Sequence, residues 1–198
     1  MANEIIHDLK GKRVLITGAA GLIGVPLVKQ LTDIGAVVFG VDIRGDCYYA
    51  DLNIFNNVRA CINTFGPFNY VFHVAGMKGG VGIGKSSGWD FLTANVLPTV
   101  NLIKALMAVG FKGRFLYVSS VGAYGGDQTI FKEENALDGT PHSSDFYGGS
   151  AKRFGELLCK AAYEQHGLDY VVVRPTAVFG PHDKFDAKTS MVIPALIA

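Results

Sequence analysis

A chain of 198 residues, 49% hydrophobic and 18% charged, is the size of one large domain and carries enough apolar surface for a filled core. Its formal net charge of +1, without a basic run, excludes the phosphate-tracking surface of a nucleic-acid binder, and no apolar run is long enough to span a membrane. Cys47, Cys61 and Cys159 are odd in number and scattered, the pattern of a reduced, cytoplasmic protein with neither a disulfide framework nor a metal site; residues 1–10 lack the apolar centre of a signal peptide.

In chain order, residues 1–11 form a polar lead-in. Residues 14–16, Val-Leu-Ile, are a short buried strand that stops at Thr17-Gly18, and Gly21 and Gly24 follow at intervals of three. Such a strand, turn and helix start present bare backbone N–H groups and the positive end of a helix dipole to an anion. Gly18 and Gly21 let a pyrophosphate approach the backbone, and Gly24 lets the helix pack closely on the strand. Helical spacing of Leu22, Ile23, Leu27, Val28, Leu31 and Ile34 predicts a helix over 22–34, closed by Gly35.

A second strand over 36–41 ends at Asp42. An acid there can accept hydrogen bonds from an adenosine ribose and repels a 2′-phosphate, which favours NAD over NADP; Arg44 is the nearby opposing charge. Residues 45–52 end in Asp51-Leu52, a helix is predicted over 54–65, and Gly66-Pro67 stops it. A third strand over 70–75 leads into a glycine-rich loop. Within that loop 79–86 formally match a phosphate-binding P-loop, a reading set aside because the first strand already carries a nucleotide fingerprint.

Next come a helix over 90–109, with Pro98 expected to kink it, a strand over 114–120, a helix over 147–165 capped by Gly167, and a strand over 170–174. Strands alternating with helices predict an α/β fold, a Rossmann-type doubly wound parallel sheet with helices on both faces. His73, in an apolar strand, reads as a hydrogen-bonded core histidine. His182 reads equally as a phosphate-facing or a merely exposed loop residue.

Ligands of such sheets lie beyond the carboxyl ends of the strands, where this chain places small or polar residues. Those residues carry a resemblance. Thr17-Gly-Ala-Ala-Gly-Leu-Ile-Gly24, Asp42, Asp51-Leu52, Val71-Phe-His-Val-Ala-Gly76, Asn95-Val96, Tyr117-Val-Ser-Ser-Val-Gly-Ala-Tyr-Gly125, Lys152, Gly155-Glu156 and Arg174-Pro-Thr-Ala-Val-Phe-Gly-Pro181 stand in an order that resembles the extended short-chain dehydrogenase/reductase family. The likeness is strongest to its nucleotide-sugar branch, and within that to GDP-fucose synthase-like members. It implies an NAD-dependent epimerase or 4-keto reductase acting at C4 of a UDP- or GDP-linked sugar, with a homodimer as a candidate assembly.

The roles implied by the resemblance are a catalytic Ser120, Tyr147 and Lys152, and cofactor binding by Gly18, Gly21, Leu22, Ile23, Gly24, Asp42, Arg44, Asp51, Leu52, Ala75, Gly76, Lys78, Asn95, Lys152 and Pro175. Ser120 would orient the sugar oxygen, Tyr147 would carry the proton, and Lys152 would bind the nicotinamide ribose and favour the phenolate.

Departures accompany it. The family's tyrosine and lysine are four apart, whereas Tyr147 and Lys152 are five apart, about 140° round an ideal helix, and position 148 is glycine. A bulge at Gly148-Gly149 or a pre-helical Tyr147 would restore the pairing; without either, the tyrosine is out of register. Gly122 and Met191 replace the family's epimerising cysteine and histidine, and Ala177 replaces a substrate-binding asparagine. The expected division is a dinucleotide-binding domain over 1–180 and the start of a truncated substrate region over 181–198. The competing readings are a dinucleotide-binding protein or subunit without catalysis and a reductase of a non-sugar carbonyl.

Overall fold

In the computed structural model, which describes residues 8–78, 87–186 and 190–198, the chain is threaded through its first strand. β1 (Arg13–Thr17) holds Val14, Leu15 and Ile16 at no more than 1% exposure, each burial contributing roughly 1.5–3 kcal/mol. Alternate residues face opposite sides. Leu15 joins a core with Val71, Phe115, Leu102 and Leu106 on one side of the sheet; Val14 and Ile16 join Leu31 and Ala36 on the other.

The remaining strands are β2 (Val37–Asp42), β3 (Tyr48–Tyr49), β4 (Tyr70–His73), β5 (Arg114–Val118) and β6 (Tyr170–Val173). They form one six-stranded sheet in the order β3-β2-β1-β4-β5-β6, and every pair is parallel. The helices are α1 (Gly24–Asp33), α2 (Phe55–Phe65), α3 (Gly88–Ala108), α4 (Phe146–His166) and α5 (Val192–Ile197). The fold is thus the doubly wound sheet expected. β3 is an addition: two exposed tyrosines beyond Asp42 are too short a run for alternation to reveal.

Winding reverses between β1 and β4, which opens a crevice at their carboxyl ends. The helix expected over 22–34 begins only at Gly24, after the glycine turn has closed, and Gly35 follows it with φ 85°. α3 runs through a buried Pro98 as one element. By length and hydropathy it could cross a membrane, yet here Phe91, Leu102, Ile103 and Leu106 lie buried in the layer it forms beside the sheet. Residues 79–86, with the P-loop-like pattern, lie outside the described residues.

Candidate active site at the sheet's carboxyl edge

The turn after β1 is held so tightly that its glycines are obligatory. Gly18 has φ 72°, and a Cβ on it would sit 2.7 Å from the Ala75 nitrogen, so the loops after β1 and β4 touch. A Cβ on Gly24 would strike the Gly18 carbonyl and come within 2.8 Å of the Ala19 Cα. One on Gly21 would meet only the Gly18 oxygen, at 3.2 Å. The Leu22 and Ile23 N–H groups have no acceptor among the described residues, and α1 starts without a side-chain cap. Uncapped N–H groups at a helix start form an anion cradle.

Asp42 ends β2 with a nearly buried carboxylate. Its Oδ2 accepts from the Ala20 N–H at 3.1 Å and its Oδ1 from the Ile43 N–H at 2.7 Å, while Arg44 Nε lies 3.9 Å away. The acid therefore braces the glycine turn while standing beside it. Leu22 reaches across the turn, and its Cδ1 would lie 3.7 Å from a Cβ on Gly180.

Beneath the crevice runs a file of hydrogen bonds. The Ala75 N–H donates to Thr17 Oγ1 at 3.3 Å, which lies 2.7 Å from His73 Nδ1; His73 Nε2 lies 3.0 Å from Thr99 Oγ1, which donates to the Asn95 carbonyl at 3.3 Å. Because the Thr99 proton is committed to that carbonyl, Nε2 carries the ring proton and Nδ1 accepts from Thr17. Burial drives the His73 pKa down to about 3, with Lys152 adding to it. His73 is a neutral, fully satisfied core residue, as the sequence suggested.

Asn95 donates to the Met77 carbonyl at 3.2 Å and the Phe91 carbonyl at 2.8 Å, which leaves its buried Oδ1 without a partner among the described residues. A Cβ on Gly76 would come within 2.8 Å of that oxygen and 3.5 Å of the Lys152 ammonium. Gly18, Ala75, Gly76, Asn95 and Lys152 thus converge. The orphaned acceptor, the side-chain-free surface of Gly76 and the open N–H groups of Leu22 and Ile23 suit a polar, anionic dinucleotide.

Lys152 projects from α4 and donates to the Val118 carbonyl at 2.9 Å, its ammonium 5.4 Å from the Tyr117 ring centre. Burial lowers its pKa to about 8, against the opposing pull of Asp145 and Glu156. Nearby, Ser119 donates to Glu156, whose two oxygens are clamped by Arg174 at 2.9 and 2.7 Å. Ser120 caps the short helical turn that follows β5, its Oγ accepting from the Gly122 N–H at 3.0 Å. The Pro175 carbonyl accepts from Val121 at 3.1 Å, which pins the ends of β5 and β6 together.

Other expected residues lie further out. Asp51 Oδ1 is engaged by Asn53, and the Leu52 carbonyl accepts from Asn101 at 2.8 Å. Lys78 is tied to Asp183 at 2.9 Å, a partner that no spacing announced.

The register of Tyr147 is a correction. α4 begins at Phe146 and is regular through its first turns, so Tyr147 is neither pre-helical nor restored by a bulge. Five residues before Lys152, it is turned about 140° from it. Its ring stacks edge-on against Phe146, 5.4 Å between centres, and lies over Gly88, where a Cβ would come within 2.8 Å of Cδ2.

What stands near Ser120 and Lys152 instead is Asp145, which sequence reading passed over. A Cβ on either Gly122 or Gly148 would collide with its carboxylate. Partial burial raises its pKa, with His142 and Lys152 pulling the other way. Only the spacing to Ser120, set by the folded loop, brings it there, so no local pattern could have found it.

The sequence matches the model of the NAD dependent epimerase/dehydratase family over residues 14–198. It is 30% identical over 190 residues to a probable GDP-L-fucose synthase 1 of Oryza sativa, aligning 95% of this chain with 56% of that one. It is also 30% identical to a dTDP-4-dehydro-6-deoxy-D-allose reductase of a Streptomyces species, covering 95% of this chain and 62% of that one. The chain therefore spans little more than half the length of these relatives. Among solved structures, a GDP-D-glycero-L-gluco-heptose synthase of Campylobacter jejuni, determined in the presence of NADPH, superposes with a TM-score of 0.82 at 23% identity over 94% of this chain and 54% of its own. The UDP-glucose 4-epimerase of Thermotoga maritima, solved with UDP-glucose, gives 0.79 at 24% over 93% and 61%. These structural likenesses speak for the fold, and the match along nearly all of the sequence speaks for descent: the chain belongs to the NAD-dependent epimerase/dehydratase family.

Proposed function

We propose that this chain is the dinucleotide-binding part of an NAD-dependent nucleotide-sugar 4-epimerase or 4-keto reductase, a cytoplasmic enzyme whose substrate is a UDP- or GDP-linked sugar. Residues 1–180 form the dinucleotide domain in this reading, and 181–198 open the sugar-binding region. The observation that carries it is the uncapped glycine turn, with free Leu22 and Ile23 N–H groups beside the Asp42 carboxylate. Gly18, Gly21 and Gly24 keep the turn open for a pyrophosphate, and Asp42, which would repel a 2′-phosphate, favours NAD over NADP. In this reading Ala75, Gly76, Asn95 and Pro175 complete the walls, and Asp51, Leu52 and Lys78 contribute from further out.

The nicotinamide, when bound, supplies or accepts a hydride. The protein's own share is to orient the sugar oxygen through Ser120 and to hold a positive charge at Lys152, which steadies a ribose hydroxyl and favours a developing oxyanion. The displacement of Tyr147 favours one second reading, a dinucleotide-binding subunit without catalysis.

Calorimetric titration with NAD and NADP, followed by turnover of GDP- and UDP-linked 4-keto sugars, separates these readings. NAD binding with turnover supports the enzyme, binding without turnover supports the subunit, and no heat with either dinucleotide refutes both.

A further inference from the structure

Hydride addition to a carbonyl needs a proton at the oxygen, and the described residues around Ser120 and Lys152 offer few groups to give one. Tyr147 stands about 140° round α4 from Lys152, with its ring over Gly88. Glu156 is consumed by Ser119 and Arg174, and His142 is tied into its own turn by Ser144 at 2.7 Å.

Asp145 is different. It occupies the N-cap position of α4, where an aspartate ordinarily accepts from the helix N–H groups, yet it makes no cap bond. No hydrogen-bond partner for its carboxylate exists among the described residues. Its Oδ2 instead stands where a Cβ on Gly122 would fall, and its Oδ1 where one on Gly148 would fall. A Cβ at position 122 would also stand 3.4 Å from Ser120 Oγ, so the serine and the carboxylate border the same small space. On the α4 side, Gly148 stands one helical turn before Lys152, on the face that Lys152 shares. A side chain starting from 148 would reach the same region, and the carboxylate has taken that volume. The residue also remains open to solvent, as a group meeting a substrate must.

We propose that Asp145 is the proton-transfer group of this site, filling the space between Ser120 and Lys152 that Gly148 leaves free. This inference rests on the reductase or epimerase reading above and adds to it the identity of the acid. In the reducing direction the carboxyl O–H bond breaks and its proton passes to the sugar carbonyl oxygen. The hydride that balances the step comes from the reduced nicotinamide, leaving an alcohol, a carboxylate and the oxidised cofactor. Oxidation of the alcohol runs the same transfers backwards.

The titratable groups facing the carboxyl are His142, from its own turn, and Lys152, from α4, both of which favour its ionised form; partial burial opposes them.

The test has two arms on the full chain. In the first, carbon-13 resonances of aspartate carboxyls are followed with pH in the cofactor-free protein. One resonance, absent from Asp145→Asn, is expected to titrate above the ordinary aspartate range and to move higher still in Lys152→Met, because that change removes a stabilising positive charge. In the second, keto-sugar reduction is measured for the wild type, Asp145→Asn and Tyr147→Phe, with NAD affinity and thermal unfolding as controls on folding.

A general acid contributes roughly 100- to 10,000-fold. Asp145→Asn is therefore expected to lose about 100-fold or more in kcat with NAD affinity intact, and to lose far more than Tyr147→Phe. Wild-type reduction should fall as pH rises through the Asp145 midpoint. Turnover surviving in Asp145→Asn, a larger loss in Tyr147→Phe, or a carboxyl indifferent to Lys152→Met overturns the assignment alone. A wild type that binds NAD but reduces nothing overturns the parent reading, and this one with it.

Discussion

Lys152 is predicted to weaken the fold it serves. Its folded pKa of about 8 against the ordinary 10.5 means that protonation is harder in the folded chain than in the unfolded one. At neutral pH that gap amounts to roughly 3 kcal/mol, at about 1.4 kcal/mol per tenfold in acidity. Between the two pKa values the unfolded chain binds more protons, so stability rises with pH; the penalty is full below about pH 8 and fades towards 10.5. Lys152→Met removes the titration while keeping most of the volume.

Urea denaturation of the wild type and Lys152→Met at about pH 7 and about pH 9.5 should show the wild type gaining about 2 kcal/mol relative to the variant over that interval. Burial also raises Cys61 to about 11 and Cys159 to about 12, which makes stability fall with alkalinity in both proteins and cancels in the difference. Parallel pH profiles for the two proteins would refute the reasoning. The same variant should bind NAD more weakly at neutral pH.

The Ser119–Glu156–Arg174 cluster gives a second test. Glu156 is 5% exposed, so Arg174→Met, which strips its bidentate partner, should cost about 3 kcal/mol. Adding Glu156→Gln should recover about 1–2 kcal/mol of that in a double-mutant cycle read by urea denaturation, and strict additivity would deny the pairing. At the glycine turn, Gly24→Ala should lower NAD affinity at least tenfold by driving α1 away from β1, about 1.4 kcal/mol, as measured by calorimetry; unchanged affinity would show that the close approach is dispensable.

What the sequence made legible follows from local physics. β1, with three apolar residues against a glycine turn, and α1, with one apolar face and Gly35 beyond it, declare themselves through spacing alone. The placement of Gly18, Gly76, Asn95 and Lys152 around one crevice follows from the parallel topology. Tyr147 shows the limit: a helix keeps its period unless something breaks it, and Gly148-Gly149 permitted a bulge without compelling one. Asp145 was hidden for the opposite reason, since its meaning depends on where Gly122 returns in space. β3 escaped because two residues carry no period.

In the file from the Ala75 amide through Thr17, His73 and Thr99 to the Asn95 carbonyl, every N–H and O–H proton is committed to the next member along it. Neither hydroxyl can be turned round, because the file begins at a backbone N–H that can only donate and ends at a backbone carbonyl that can only accept; the doubly protonated ring that could relax this rule forms only near pH 3. The loop on one bank of the crevice and the helix on the other are consequently locked to a single polarity, and losing the Thr17 hydroxyl would unpair the Ala75 amide and His73 Nδ1 together.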